Sequence, residues 1–128
     1  MIGVAILGST GSIGDSTLDV LARHADRFRV VALAAHSSTA KLLAQCERFM
    51  PDYACLVEPS AAAELERALR ARGSATRVLV GAAGLNEIAT LSAAPYVMAG
   101  IVGAAAAYVF MRYPEMPMPT AESLRVTD

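Results

Sequence analysis

Cysteine is scarce. Cys46 and Cys55 are the only two among 128 residues, and they form no CxxC pair, which leaves no thiolate metal knuckle. They read as reduced thiols of a cytoplasmic protein. An excess of either charge is also missing: 11 Lys and Arg face 12 Asp and Glu. A net charge of −1 offers no basic surface to nucleic acid or to an anionic membrane. No Lys/Arg-rich start precedes an apolar core, so no signal peptide is expected. Asp, Glu, His and Cys gather nowhere at metal-ligand spacing, so the reading assigns neither a metal site nor a catalytic residue.

What is present suits one globular domain. Apolar residues make up 55% of the chain, with much of the excess in alanine. A chain of this length buries roughly two-thirds of its unfolded surface, enough for a core.

The chain is organised around Ile6-Leu7-Gly8-Ser9-Thr10-Gly11-Ser12-Ile13-Gly14. An apolar run from Val4 to Leu7 stops at glycine, and two more glycines follow at intervals of three. A helical pattern then places Ile13, Leu18, Leu21 and Ala22 on adjoining faces. Strand, glycine turn and helix in this order leave the first-turn N–H groups without internal partners, at the positive end of the helix dipole. A phosphate suits that place. Gly8 allows the sharp turn, Gly11 lets a pyrophosphate reach the backbone, and Gly14 lets the helix pack closely. A plain βα turn with glycines for tight packing reads the same residues. The spacing is GxxGxxG rather than GxGxxG.

Beyond this stretch, strand and helix patterns alternate. Strands are predicted at Phe28–Ala35, Tyr53–Val57, Arg77–Val80 and Tyr96–Val102. Helices are predicted at Thr39–Met50, capped by Ser38 or Thr39; at Ser60–Arg72, capped by Ser60 and ended by a left-handed Gly73; and at Gly84–Leu91. Such alternation builds an α/β fold, a doubly wound parallel sheet of Rossmann-like, NAD(P)-binding type. Its crevice lies beyond the carboxyl ends of the strands, within reach of the loops Gly8–Ile13, Ala35–Thr39 and Gly103 onward.

The second of these loops bears on cofactor choice. NAD-preferring domains carry Asp or Glu at the end of the second strand. This chain has Ala35-His36-Ser37-Ser38-Thr39, with Lys41 near. With no carboxylate to repel a 2′-phosphate, and with an imidazole and hydroxyls to bind it, the loop favours NADP(H). The same residues also suit a simple cap of the second helix. His24 reads as a structural residue closing the first helix, and Asp15 and Asp19 as solvated surface.

Several segments together resemble one family. Gly8-Ser9-Thr10-Gly11-Ser12-Ile13-Gly14, Ser16-Thr17-Leu18-Asp19-Val20, Phe28-Arg29-Val30-Val31-Ala32-Leu33 and Val97-Met98-Ala99-Gly100-Ile101-Val102-Gly103-Ala104-Ala105 look like the N-terminal domain of 1-deoxy-D-xylulose 5-phosphate reductoisomerase. The resemblance covers residues 1–105. It implies an NADPH-dependent rearrangement and reduction of that phosphorylated sugar to 2-C-methyl-D-erythritol 4-phosphate, in the non-mevalonate route to isoprenoids. It further implies a divalent metal (Mg or Mn), a homodimer and a cytoplasmic enzyme. By the same resemblance, Thr10, Gly11, Ser12 and Ile13 hold the NADPH phosphates. His36, Ser37 and Ser38 contact the adenosine ribose and its 2′-phosphate, and Ile101–Ala105 line the nicotinamide side.

After Ala105 the likeness fades. The family continues into a helix and an Ala-Asn-Lys-Glu-Ser-Leu strand. Here prolines at 114, 117 and 119 forbid a regular helix or central strand, and only Glu122-Ser123-Leu124 echoes the motif. The reading is therefore an NADPH-binding domain over 1–105 and a divergent Pro-rich tail over 106–128. The catalytic and C-terminal domains are absent, and cofactor binds without turnover. Two alternatives stand beside it: a nucleotide-binding module with no chemistry, and a membrane anchor through residues 88–111, a run without one charged residue.

Overall fold

The computed structural model describes residues 1–99. They form five strands and four helices in strict alternation: β1 (Ile2–Leu7), α1 (Ser12–Ala22), β2 (Phe28–Ala35), α2 (Thr39–Phe49), β3 (Tyr53–Leu56), α3 (Pro59–Ala71), β4 (Arg77–Val80), α4 (Gly81–Ala89) and β5 (Tyr96–Ala99). All strand pairings are parallel, and the strand order is β4-β3-β2-β1-β5. The chain winds outward from β1 to β4, then α4 returns it to the other side of β1. This reversal is the switch point at which open α/β sheets bind ligands.

Apolar side chains cover both faces of the sheet. On one face Val4, Ile6, Phe28 and Val30 pack with Leu18 and Leu21 of α1, Leu42 and Cys46 of α2, and Leu65 and Leu69 of α3. On the other, Ala5, Leu7, Val31, Ala34 and Val97 pack with Ile88 of α4. Burying each of the larger aliphatic side chains contributes roughly 1.5–3 kcal/mol. The β1–β2 register slips between Val4 and Ala5, which pair with Val30 and Ala32. Val31 is the extra residue of a bulge, and it reverses the side-chain alternation of β2. Phe28 and Val30 share a face with Leu33 and Ala35, while Val31 and Ala32 both turn to the other.

Helix ends differ from expectation at three places. Ser38 occupies the N-cap position of α2, but no side chain caps that helix; Thr39 Oγ1 donates instead to the Ala61 carbonyl at 3.3 Å. The cap of α3 is Glu58, not Ser60. Its carboxylate accepts from the Ser60 and Ala61 amides at 3.2 and 2.8 Å and from the Ser60 hydroxyl, with Pro59 opening the helix. These bonds hold the Glu58 carboxyl below its ordinary pKa, the Ser60 hydroxyl contributing most. Helix α4 starts at Gly81 rather than Gly84, because Gly81, at φ +74°, turns the chain directly out of β4. Gly73 ends α3 as expected, at φ +67°. Its amide donates to Arg70 and that of Ser74 to Leu69, the two bonds of a Schellman turn.

Residues 88–99 of the uncharged run are divided among the end of α4, a turn and β5. No helix among the described residues is long and apolar enough to cross a membrane. The remainder of that run, the last residues of the predicted fifth strand and the Pro-rich tail lie outside the described residues.

Candidate functional site

Strand β1 ends at Leu7, and Gly8 turns the chain at φ +76°. The Gly8 and Ser9 amides both donate to the Ala34 carbonyl, at 2.8 and 2.9 Å, and the Gly11 amide donates to Gly8 O at 3.2 Å. The turn is thereby tied to β2 and to itself. Bonding into α1 begins only with the Asp15 amide on Gly11 O, at 2.9 Å. Gly11, the N-cap residue, has no side chain to cap with, and no other side chain caps the helix. Among the described residues, the Thr10, Ser12 and Ile13 amides have no partner. Donors left free at the positive end of an 11-residue helix are an arrangement that suits an anion.

The glycines fit that use in distinct ways. A Cβ on Gly14 would stand 2.3 Å from Gly8 O and 2.6 Å from Ser9 Cα, so the helix packs directly on the turn. A Cβ on Gly11 would meet nothing closer than Gly8 O at 3.6 Å. The protein leaves the space above Gly11 open, and Gly11, Ser12 and Ile13 are exposed.

The loop after β2 lies beside this turn because β2 pairs with β1. His36, Ser37 and Ser38 are all exposed there. Lys41, one turn into α2, links the loops through its ammonium, 3.4 Å from Thr10 O. The loop itself carries no carboxylate, as read from the sequence, and the fold brings one beside it from another connection. Glu58, from the β3–α3 connection, donates its amide to His36 O at 3.0 Å, and the electrostatic influence of His36 reaches the Glu58 carboxyl. Sequence distance hides this neighbour. Its oxygens are occupied by the α3 amides and Ser60, which offsets its charge.

One further residue bears on the turn from within. Gln45, almost fully buried on α2, donates from Nε2 to Ser9 O at 2.8 Å. Ser9 is wholly buried, and neither its hydroxyl nor Gln45 Oε1 has a protein partner among the described residues. The only sequence signal for Gln45 is an amide among the apolar residues of an amphipathic helix. His24 falls just past α1, with its Nε2 buried and unpartnered. Asp19 pairs with Arg48 at 3.1 Å, both half exposed, a contact worth well under about 1 kcal/mol. Ile101–Ala105 lie outside the described residues. Among the described residues no three His, Cys, Asp or Glu side chains stand together to hold a metal ion, so no chemistry through a metal is derived from this part of the chain.

Sheet order, switch point and glycine turn define a Rossmann-like α/β domain of nucleotide-binding type. The sequence model for 1-deoxy-D-xylulose 5-phosphate reductoisomerase matches residues 4–111, and the chain belongs to that family. The reductoisomerase of Nitrosospira multiformis is 56% identical over 102 residues, which are 80% of this chain and 26% of that protein; that of Nitrosomonas eutropha is 52% identical over 102 residues, 80% of this chain and 25% of that one. A solved reductoisomerase in complex with NADPH, fosmidomycin and magnesium superposes with a TM-score of 0.78 at 42% identity, covering 85% of this chain and 26% of that one. The enzyme from Zymomonas mobilis, in complex with NADPH, gives 0.73 at 38% identity, covering 80% and 26%. This chain thus spans about a quarter of the length of the relatives it matches.

Proposed function

We propose that this chain is the NADPH-binding domain of a 1-deoxy-D-xylulose 5-phosphate reductoisomerase and that alone it binds the cofactor without turnover. The observation that carries the reading is the run of unpartnered amides that includes Thr10, Ser12 and Ile13, beside the open space at Gly11. In this reading those four residues hold the pyrophosphate. His36, Ser37 and Ser38, with Lys41 close by, receive the adenosine ribose and its 2′-phosphate. In the same reading the cofactor-binding unit covers 1–105, and 106–128 is a divergent Pro-rich stretch of sequence. When bound, NADPH supplies the hydride for reduction of the phosphorylated sugar. Substrate binding, the Mg or Mn site, the homodimer and residence in the cytoplasm belong to the longer enzyme. The relatives solved with NADPH support the cofactor, and the quarter-length match supports the lack of turnover.

Titration of the purified chain with NADPH, followed by nicotinamide fluorescence, tests the reading. Saturable binding, tighter for NADPH than for NADH, is expected. Absence of binding to either overturns the domain assignment, and turnover of 1-deoxy-D-xylulose 5-phosphate by this chain alone overturns the fragment reading.

A further inference from the structure

We infer that Gln45 is a positioning residue for the pyrophosphate, setting the direction of the Thr10 N–H from behind the turn. The inference rests on the cofactor reading above and assigns a role to a side chain buried behind the turn. Ser9 C=O and Thr10 N–H belong to one peptide unit. A planar trans peptide points its carbonyl and its amide hydrogen in opposite directions, and no cis bond occurs among the described residues. Gln45 Nε2 holds the Ser9 oxygen at 2.8 Å inside the protein. The Thr10 hydrogen is therefore turned away from α2, and it has no protein partner among the described residues.

Nothing else described restrains this peptide plane. The Ser9 amide is bound to Ala34 O and the Gly11 amide to Gly8 O, so the peptides on either side are fixed by the backbone itself. The Ser9 carbonyl is fixed by Gln45 alone among the described residues. Lys41, 3.4 Å from Thr10 O and exposed, acts on the next peptide along and not on this plane. Ser9 is fully buried, so no solvent replaces the lost donor, and an unanswered carbonyl favours rotation of the plane. That rotation would carry the Thr10 hydrogen off the ligand.

The test compares two ligands on two proteins. Gln45→Met keeps length and helix propensity and removes the donor, together with an Oε1 that has no partner among the described residues. NADPH affinity is expected to fall about tenfold, the equivalent of one hydrogen bond. Adenosine 2′-monophosphate, which lacks the pyrophosphate, is expected to bind within twofold of the unaltered chain. Unchanged NADPH affinity, or equal loss of both ligands, overturns the inference. Failure of the unaltered chain to bind either ligand strikes the cofactor reading instead. A second measurement needs no variant: on the unaltered chain, inorganic pyrophosphate should move the Thr10 amide proton resonance downfield in saturable fashion. A Thr10 resonance that stays in place while those of Ser12 and Ile13 move overturns the inference even if Gln45→Met does not fold.

Discussion

Gly14 and Gly8 are in such close approach that a methyl group on the first would sit 2.3 Å from the carbonyl oxygen of the second. The turn after β1 and the start of α1 form one closely packed unit, and the geometry of the free amides depends on it. Alanine inside a helix ordinarily gains about 1 kcal/mol over glycine. Here overpacking against backbone opposes that gain and costs about 1–3 kcal/mol or more. Gly14→Ala is expected to lower stability by urea denaturation and to weaken NADPH binding. A variant as stable as the unaltered chain would show that the helix stands farther from the turn.

Gly11 makes the opposite case. A Cβ there meets only Gly8 O, at an ordinary 3.6 Å, so Gly11→Ala should cost no more than the roughly 1 kcal/mol by which alanine is the poorer N-cap residue. Its methyl group occupies the space left for the ligand, and NADPH affinity should drop. Gly11→Asp adds a negative charge at the same point and should abolish binding. Paired denaturation and fluorescence titrations separate the two effects. Retained affinity in Gly11→Asp would place the diphosphate elsewhere.

Burial pushes the Cys46 thiol up to about 12 and the Cys55 thiol up to about 11 from an ordinary 9.0, with small help from Glu47 and Glu87 respectively. Both thiols are free. A raised folded-state value means that the native protein keeps the proton which the unfolded chain releases. The stabilisation is full below pH 9 and is lost as pH rises from 9 towards 11–12. At pH 8 a disulfide reagent should leave both thiols of the native protein unmodified and should label both at once in denaturant. Prompt labelling of the native chain would contradict the burial.

Much of the architecture was legible because local chemistry repeats it. Apolar strand runs, amphipathic helices and Gly73 placed the elements within a few residues. The family resemblance is upheld by the family match and the structural neighbours. The helix caps were less legible. Glu58 caps α3 because Pro59 already has helical geometry, which moves the helix start ahead of Ser60. Thr10 and Gly11, with Ser12 and Ile13 opening α1, and His36 to Ser38 fall in the two adjacent connections that the sequence pattern assigned to the crevice.

By itself the sequence determined the alternation of elements, the glycine turn and the family, since each follows from neighbours along the chain or from the order of letters. Only the tertiary structure decided that Gln45 reaches Ser9 across 36 positions, that Glu58 stands against His36, and that Val31 bulges out of β2. Pairing between segments is not encoded locally. In a strand buried on both faces, every residue is apolar, and no alternation marks the point where the two faces exchange.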